Sequence, residues 1–533
     1  MNETRMSSGK NFRGDRIIWG ILFGGALLLR ALFTSARLVL SGDEVHYAES
    51  LHLFMQGRII EGLSDYWSFF YPFAAVPFGL IYGDAETGLR LLSAISGAVL
   101  LLPCMLIARN LWGSRSALFA GLLVALHTNL IVFSSAAMTE SFYSLLLLLA
   151  LFFFLRMMQE GRRRNLILAG LLLGLACLAR QEAQFVLYLF VLILITGKGG
   201  MGVRGPARRR AAGVVLLILF YVIPLIPYSA VLYEKTGRWH TGSKASVNLS
   251  SPVVWEEGLD RERYVYSLDD VGMDRRIEEI GRMNPLVILW RQKGAIAARY
   301  FEEFSRGTRL VPLLLATPFL LVLVPVGLFG RRWREHGPET TLLLVGLFPF
   351  LLYPVFEVEI RYLVPYLPLY LLWGGAGCAV MMRWLEDNVA RNALVAAVML
   401  FVVFFSLVPY SIRRYSRIRQ SQPIEYREIG LWIGERCESG VRILAPPGTS
   451  YSYYAGNPAA TFIPWTDPEG LLRYARRHRF DYLVLEERYI SSRRPMLGQL
   501  LSDEGYPGLE RVKTFSPPNS GTVMLYRIDG KNR

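Results

Sequence analysis

Between residues 17 and 410 the chain returns repeatedly to leucine-dense apolar runs, among them "SLLLLLALFFFL" and "AGLLLGLACLA". No other feature limits the fold so severely. About 20 apolar residues in helical geometry cross the hydrocarbon of a bilayer. Inside it, each backbone N–H and C=O must be paired within the protein, so runs of this kind resolve as helices. The runs predict spans near 17–40, 89–109, 116–136, 141–158, 165–180, 183–197, 211–233, 309–330, 340–356, 362–382 and 393–410, eleven in all. Hydrophobic residues make up 53% of the 533, more than a soluble chain of this length usually carries. The expected fold class is a polytopic α-helical membrane protein with a C-terminal soluble α/β domain. Residues 1–410 would form the transmembrane domain, with outside loops at 41–88 and 234–308, and 411–533 the extracytoplasmic α/β domain. The first run is too long for a signal-peptide core and lacks a clear cleavage site, so it reads as an uncleaved anchor.

The formal charge of +15 follows the membrane pattern. Much of it sits in short loops between apolar runs, where cytoplasmic arginine and lysine set orientation; nucleic acid is therefore not an expected partner. Arg5, Lys10, Arg13 and Arg16, the arginines at 162–164 and 208–210, and "GRRWRE" at 330–335 sort to the inside. This works if Arg180-Gln181-Glu182 breaks 165–197 into a hairpin. Loops 41–88 and 234–308, the turn at 137–141 and the tail then share the outside. The basic start of the tail, "SIRRYSRIRQ", departs from the simple rule, as long translocated domains do. Cys104, Cys177, Cys378 and Cys437 show neither a disulfide framework nor a metal spacing. Arg30 and His127 fall within apolar spans, where facing lipid would be costly, and are expected to point into the bundle.

In the tail, "YREIGLWIGERC" has helical spacing, and "VRILA", "ATFIP" and "DYLVLEE" have the look of short strands. "DPEGLLRYARRHR" reads as a helix with an acidic first turn. "ERVKTFS" and "TVMLYRI", joined through "PPNSG", read as a closing hairpin.

Three short stretches carry candidate chemistry. In "SGDEVHYAES", Ser41 and Glu44 match a capping box, and Asp43 suits the helix dipole. Tyr47, Leu51, Phe54 and Met55 then form a stripe suited to a membrane surface, with Gly57 ending the helix. Capping by itself accounts for an acid there. In "SSAAMTESF", Thr139 is a plausible cap and Glu140 a first-turn acid. In "EVEIRYLVPYLPLY", Arg361 could be a snorkelling arginine, yet an arginine beside a short outside loop runs against the charge bias. The expected topology puts Asp43, Glu140 and Arg361 at one membrane face. A carboxylate within reach of a hydroxyl can act as a general base. An arginine at a helix N-terminus can grip a phosphate through both its fork and the dipole. Together these suit transfer from a lipid phosphate onto a hydroxyl.

"GDEVHYAESLHLFMQG", "YPFAAVPFGLIYGDAETGLRLLSAISG", "MTESF…AGLLLGLACLARQEA" and "RYLVPYLPLYLL" extend across most of 41–370. In these stretches the chain resembles the C-type glycosyltransferases that use polyprenyl-phosphate sugars. The nearest groups are the bacterial relatives of protein O-mannosyltransferases and of the lipid A aminoarabinose transferase. Two positions depart from the pattern: Tyr71-Pro72-Phe73 stands where a double proline is common, and Arg180-Gln181 where Arg-Pro is common. The sugar and the acceptor are therefore left open.

The resemblance implies a single inverting displacement at the extracytoplasmic face of a bacterial inner membrane. Asp43 would take the proton of an acceptor hydroxyl, with Glu44 and Glu140 orienting it. Arg361, with Tyr362 and Arg90 behind it, would steady the departing lipid phosphate. The expected partners are a polyprenyl-phosphate-linked sugar and a lipid, glycan or protein acceptor. No cofactor is certain; a divalent metal is left open, with Asp43 and Glu140 as candidate ligands. His46, His52 and His240 lack convincing ligand spacing and are assigned ordinary polar roles. No nucleotide-sugar signature is present, neither a G-x-x-x-x-G-K-[ST] loop nor a DxD-like pair in a soluble α/β domain, and the acidic run "LDDVGMD" reads as a solvated face. The alternatives are a lipid-linked-sugar flippase, which Arg30 and His127 would suit, and an oligosaccharide ligase or polymerase.

Overall fold

The structure is a computed structural model that describes residues 11–197, 205–245, 248–249, 284–330, 333, 336–389, 392–436, 441–446, 448–456, 460–461, 463–502, 505–517 and 521–529. The acidic run at 268–274 and Cys437 lie outside the described residues. The chain divides into two compact units. The membrane unit takes the described residues of Met1–Ala36, Phe54–Gly242 and Ala298–Ser416, and the sheet unit those of Arg37–Leu53, Ser243–Ala297 and Arg417–Arg533.

Among the described residues of the whole chain, six helices are long and apolar enough to cross a bilayer: Ile17–Thr34, Ala85–Trp112, Glu140–Glu160, Gly337–Val355, Ile360–Asn388 and Leu394–Arg436. Three bent pairs raise the number to as many as nine: Ser114–Leu126 with Thr128–Ser134, Ala207–Val222 with Leu225–Thr236, and Lys293–Leu315 with Pro318–Phe329, at 55°, 53° and 104°. Each of the eleven expected spans falls on a helix or a bent pair. Two of them, however, are helices of only 17 and 14 residues, Arg163–Ala179 and Ala183–Thr196, short of the length a straight span needs. The local sequence explains the boundaries. Glu140–Glu160 is a leucine and phenylalanine run without glycine or proline, and it stops at Gly161, whose φ of 68° is the left-handed cap conformation. Asp84 opens Ala85–Val99 by accepting from the Thr87 N–H at 2.8 Å.

Two of the bends are held by the polar residues that stood out in the apolar runs. Arg30 is fully buried and donates to the carbonyls of Ala26, Val124 and Ala125 at 3.0, 3.2 and 3.3 Å. The last two are carbonyls that Ser114–Leu126 cannot satisfy once it breaks at His127. His127 bonds the Leu315 carbonyl at 3.2 Å, and the Asn129 side-chain amide donates to Leu313 and Leu314 at 2.9 and 3.0 Å. Those carbonyls end Lys293–Leu315, just before its 104° turn. Arg30 and His127 thus serve backbone groups freed at the breaks.

Glycines bring three helices of the membrane unit into backbone contact. A Cβ on Gly327 would lie 1.9 Å from the Trp373 carbonyl oxygen, one on Gly377 2.1 Å from that of Leu323, and one on Gly375 2.5 Å from the Ala120 nitrogen. Small residues at helix crossings are how membrane helices gain contact without hydrophobic driving force.

The sheet unit holds five strands in the order β2-β1-β3-β5-β4. They are β1 (Ile443–Leu444), β2 (Ala460–Thr461), β3 (Tyr482–Glu486), β4 (Leu509–Phe515) and β5 (Val523–Ile528). β1 pairs in parallel with β2 and β3, while β5 pairs antiparallel with β3 and β4. The three expected strands, the closing hairpin and both helices are present. Side chains alternate across the sheet. Leu444, Leu483, Leu485, Met524 and Tyr526 pack with Leu471, Leu472 and Ala475 of helix Pro468–Arg477. Ile443, Val484, Val523 and Leu525 pack on the other face with Ile429 and Ile433 of helix Glu425–Arg436. Asp467 caps the first of these helices, accepting from the Gly470 N–H at 2.7 Å.

Candidate functional site

In the membrane unit the charged residues gather where helix ends meet. Glu140 opens Glu140–Glu160, and Arg180 follows the last residue of Arg163–Ala179. Both placements agree with the helix dipole, an acid at an N-terminus and a cation at a C-terminus. The segment before Glu140 is pinned by a relay: the Tyr71 hydroxyl meets Ser93 Oγ at 2.7 Å, and Ser93 Oγ donates to the Met138 carbonyl at 3.0 Å. The Thr139 side chain makes no capping bond, so the expected cap there is not formed.

Arg180 is the centre of this cluster. Its Nη1 donates to Glu140 Oε1 at 3.2 Å and its Nη2 to Glu182 Oε1 at 3.0 Å. The guanidinium lies 5.8 Å from the Tyr143 ring centroid and 5.6 Å from that of Tyr362, within cation–π range. The Tyr143 and Tyr366 hydroxyls are 3.1 Å apart, and the Tyr353 ring lies 5.5 Å from Tyr362. Glu140 is 1% exposed. A carboxylate so buried is costly without a counter-ion, and Arg180 is that counter-ion.

Arg361 differs in being reachable. Its side chain is 32% exposed; Nε pairs with Glu359 Oε2 at 2.6 Å, and Nη2 donates to the Tyr362 hydroxyl at 3.0 Å. The turn before it is anchored by buried Glu303, which accepts from the Val358 N–H at 2.8 Å. Of the expected residues of this unit, the structure brings Glu140, Tyr362 and Arg361 together, through Arg180. Arg90 pairs with Glu86 one turn away on its own helix, at 2.6 Å.

Asp43 and Glu44 belong to the sheet unit, where they open helix Asp43–Met55. The Ser41 N–H donates to Glu44 Oε2 at 3.2 Å, and the Glu44 N–H returns to the Ser41 carbonyl at 3.3 Å. The reach-back of the capping box is therefore made by Glu44. Asp43 is half-buried and Glu44 is buried, so the two acids are placed for different work. The stripe expected on a membrane surface is turned inward, with Tyr47, Leu51 and Phe54 all buried. His46 pairs with Glu49 at 3.5 Å, and His240 meets Thr236 Oγ1 at 3.1 Å. Among the described residues, no three His, Cys, Asp or Glu side chains gather as metal ligands would.

Sequence reasoning passed over Arg180, Glu182, Tyr143 and Tyr353. It treated Arg180-Gln181-Glu182 as an interruption of a span and as a departure from a family pattern. The usable signal was the rarity of an ionisable pair between two apolar runs, which marks function by default.

The fold is shared with solved membrane glycosyltransferases. It matches ArnT from Cupriavidus metallidurans bound to undecaprenyl phosphate, with TM-score 0.56 and 15% identity over 96% of this chain and 98% of that one. It matches the archaeal oligosaccharyltransferase AglB from Archaeoglobus fulgidus, in complex with an inhibitory peptide and a dolichol-phosphate, with TM-score 0.58 and 12% identity over 96% and 74%. It also matches the arabinofuranosyltransferase AftD from Mycobacteria, with TM-score 0.51 and 16% identity over 96% and 41%. Residues 68–228 match the model of the dolichyl-phosphate-mannose-protein mannosyltransferase family, which bears out the resemblance read from the sequence. No curated protein matches the chain by sequence.

Proposed function

We propose that the protein moves a sugar from a polyprenyl-phosphate donor to a hydroxyl of a lipid, glycan or protein at the extracytoplasmic face of a bacterial inner membrane. In this reading the N-terminus is cytoplasmic and the sheet unit lies outside. The observation that carries it is the fold, shared along almost the whole chain with a transferase holding undecaprenyl phosphate. Asp43 takes the acceptor proton as the acceptor oxygen bonds to the anomeric carbon. The bond from that carbon to the phosphate oxygen breaks, and polyprenyl phosphate leaves with the negative charge. Preorganised donors lower the barrier by meeting charge where it develops. Arg361 and Tyr362 supply these, and Arg180 holds Tyr362 and Glu140 in place around them. Glu44 supports Asp43 by closing the turn that presents it. Arg90, paired with Glu86, is a weaker candidate for the same task. Asp43 and Glu140 remain the candidate ligands should a divalent metal take part.

Purified protein incubated with a polyprenyl-phosphate sugar and an acceptor should release free polyprenyl phosphate. Asp43→Asn should slow release by about a thousandfold, within the range general-base catalysis supplies, and leave the fold intact. Arg361→Ala should weaken donor binding about tenfold or more, the worth of a charge-assisted pair. A parental rate in Asp43→Asn would remove the base assignment. Accelerated lipid flipping in vesicles without release would favour the transporter. Transfer only from a pyrophosphate-linked oligosaccharide would favour the ligase.

A further inference from the structure

The segment that leads into Asp43 has no regular secondary structure, and two of its residues are buried within it. Val39 and Leu40 are 2% and 0% exposed. Backbone N–H groups in such a place must find partners, and within the sheet unit they find them on side chains nearly 400 positions away in the chain or more. The Leu40 N–H donates to the Tyr454 hydroxyl at 2.7 Å, and the Leu38 N–H to Gln422 Oε1 at 3.2 Å. Arg427 Nη1 donates to the Leu38 carbonyl at 3.4 Å.

Tyr454 is itself held firmly. It ends helix Gly448–Tyr454, with the Arg427 guanidinium 6.0 Å from its ring centroid and the Tyr453 ring at 5.2 Å. Gly430 of helix Glu425–Arg436 lies so close that a Cβ there would sit 2.6 Å from Tyr454 Cβ. From Leu40 to Asp43 the path is three residues, on the order of 10 Å at full extension. That short link is closed by two bonds, Ser41 N–H to Glu44 Oε2 and Glu44 N–H to the Ser41 carbonyl, across the left-handed turn at Gly42. Past it the helix is locked by Val45, Ala48 and Leu51, all 0% exposed. A shift at Leu40 is therefore passed to Asp43 instead of being absorbed between them.

We propose that Tyr454, with Gln422 and Arg427, is a positioning residue for the reaction. It fixes the loop 38–42 so that the carboxylate of Asp43 is presented at one place and angle. This rests on the assignment of Asp43 as the base. It gives the sheet unit a direct part in the rate, through the backbone of that loop and with no contact to substrate. Chemistry between a base and a hydroxyl is sensitive to displacements on the scale of an ångström, whereas donor binding by Arg361 and Tyr362 draws on other residues. The signature is therefore a fall in kcat at constant donor KM.

The test uses the full-length protein and the variants Tyr454→Phe, Gln422→Ala and Asp43→Asn. Turnover and hydrogen exchange of peptides covering 38–44 are measured on each. Tyr454→Phe removes one hydroxyl and is expected to lower kcat about tenfold, with donor KM within about twofold and the thermal midpoint within about 2 °C. Exchange at Leu40 should accelerate. Gln422→Ala should do the same in smaller measure at Leu38. Parental kcat in Tyr454→Phe, with unchanged exchange, would overturn the proposal. So would a kcat that falls only in step with the thermal midpoint. Failure of the base assignment is read separately: a parental rate in Asp43→Asn sinks that assignment, and the exchange data still decide whether Tyr454 holds the loop.

Discussion

In the membrane unit Glu140 and Glu182 share the guanidinium of Arg180. In the sheet unit Glu486, at the end of β3, is buried within the electrostatic reach of Glu425, which is buried too. The same kind of group is thus taken out of water in two ways. The first places a cation between two anions and surrounds it with tyrosine rings. The second sets an acid near another acid, with Arg488 opposing. Burial first, and the Glu425 charge second, push the Glu486 carboxyl up from 4.5 to about 7. A buried acid can be stabilised by a fixed partner or by a proton, and the second responds in the neutral pH range.

The largest expected effect comes from breaking the first arrangement. Arg180→Gln leaves Glu140 and Glu182 without their shared cation and should cost about 3–5 kcal/mol of stability, as removal of one member of a buried ion group does. A lowered thermal midpoint in detergent would register it, and the triple variant with Glu140→Gln and Glu182→Gln should recover much of the loss. An unchanged midpoint in Arg180→Gln would erase the contrast between the units.

The second arrangement predicts a pH slope of definite sign. Glu486 binds its proton more tightly folded than unfolded, so the folded state carries more protons between pH about 4.5 and about 7. Stability is fully present below 4.5, falls as pH rises through that window, and levels above about 7. The total is on the order of 3 kcal/mol. Glu486→Gln should flatten the slope when the sheet unit's unfolding is followed from pH 5 to 8. A parental slope that already lacks this fall would show that Glu486 is not a proton store.

Asp467 gives the smallest effect and the control. Its carboxylate is satisfied by the Gly470 N–H at the surface, so Asp467→Ala should cost about 1 kcal/mol, the usual value of an N-cap. The slope between pH 5 and 7 should stay as it was.

How far these features could be read in the sequence depends on what each one rests on. The spans and the strands declare themselves because burial marks the local sequence, some twenty apolar residues for one and a short continuous apolar run, buried on both faces, for the other. "DYLVLEE" and "TVMLYRI" needed no partner to be recognised. Glu44 was legible as a cap because its partner is three residues away. Arg180 was not legible as the hub of the cluster, because its bonds to Glu140 and its approach to Tyr362 are fixed by helix packing. Nor was Tyr454, whose partner lies 414 positions distant. Arg30 stood out as an oddity, but its purpose required knowing that the helix after Gly113 breaks at His127.

If the proposed polyprenyl-phosphate donor is used, the glycine crossings limit where its long tail could enter. Where Gly327 and Gly377 let two main chains touch, and Gly375 meets Ala120, no layer of side chains remains between the cylinders to be squeezed or rearranged. Those three rods behave as a single strut. A lipid entering sideways under the proposed reading would therefore have to pass between helices outside this crossing.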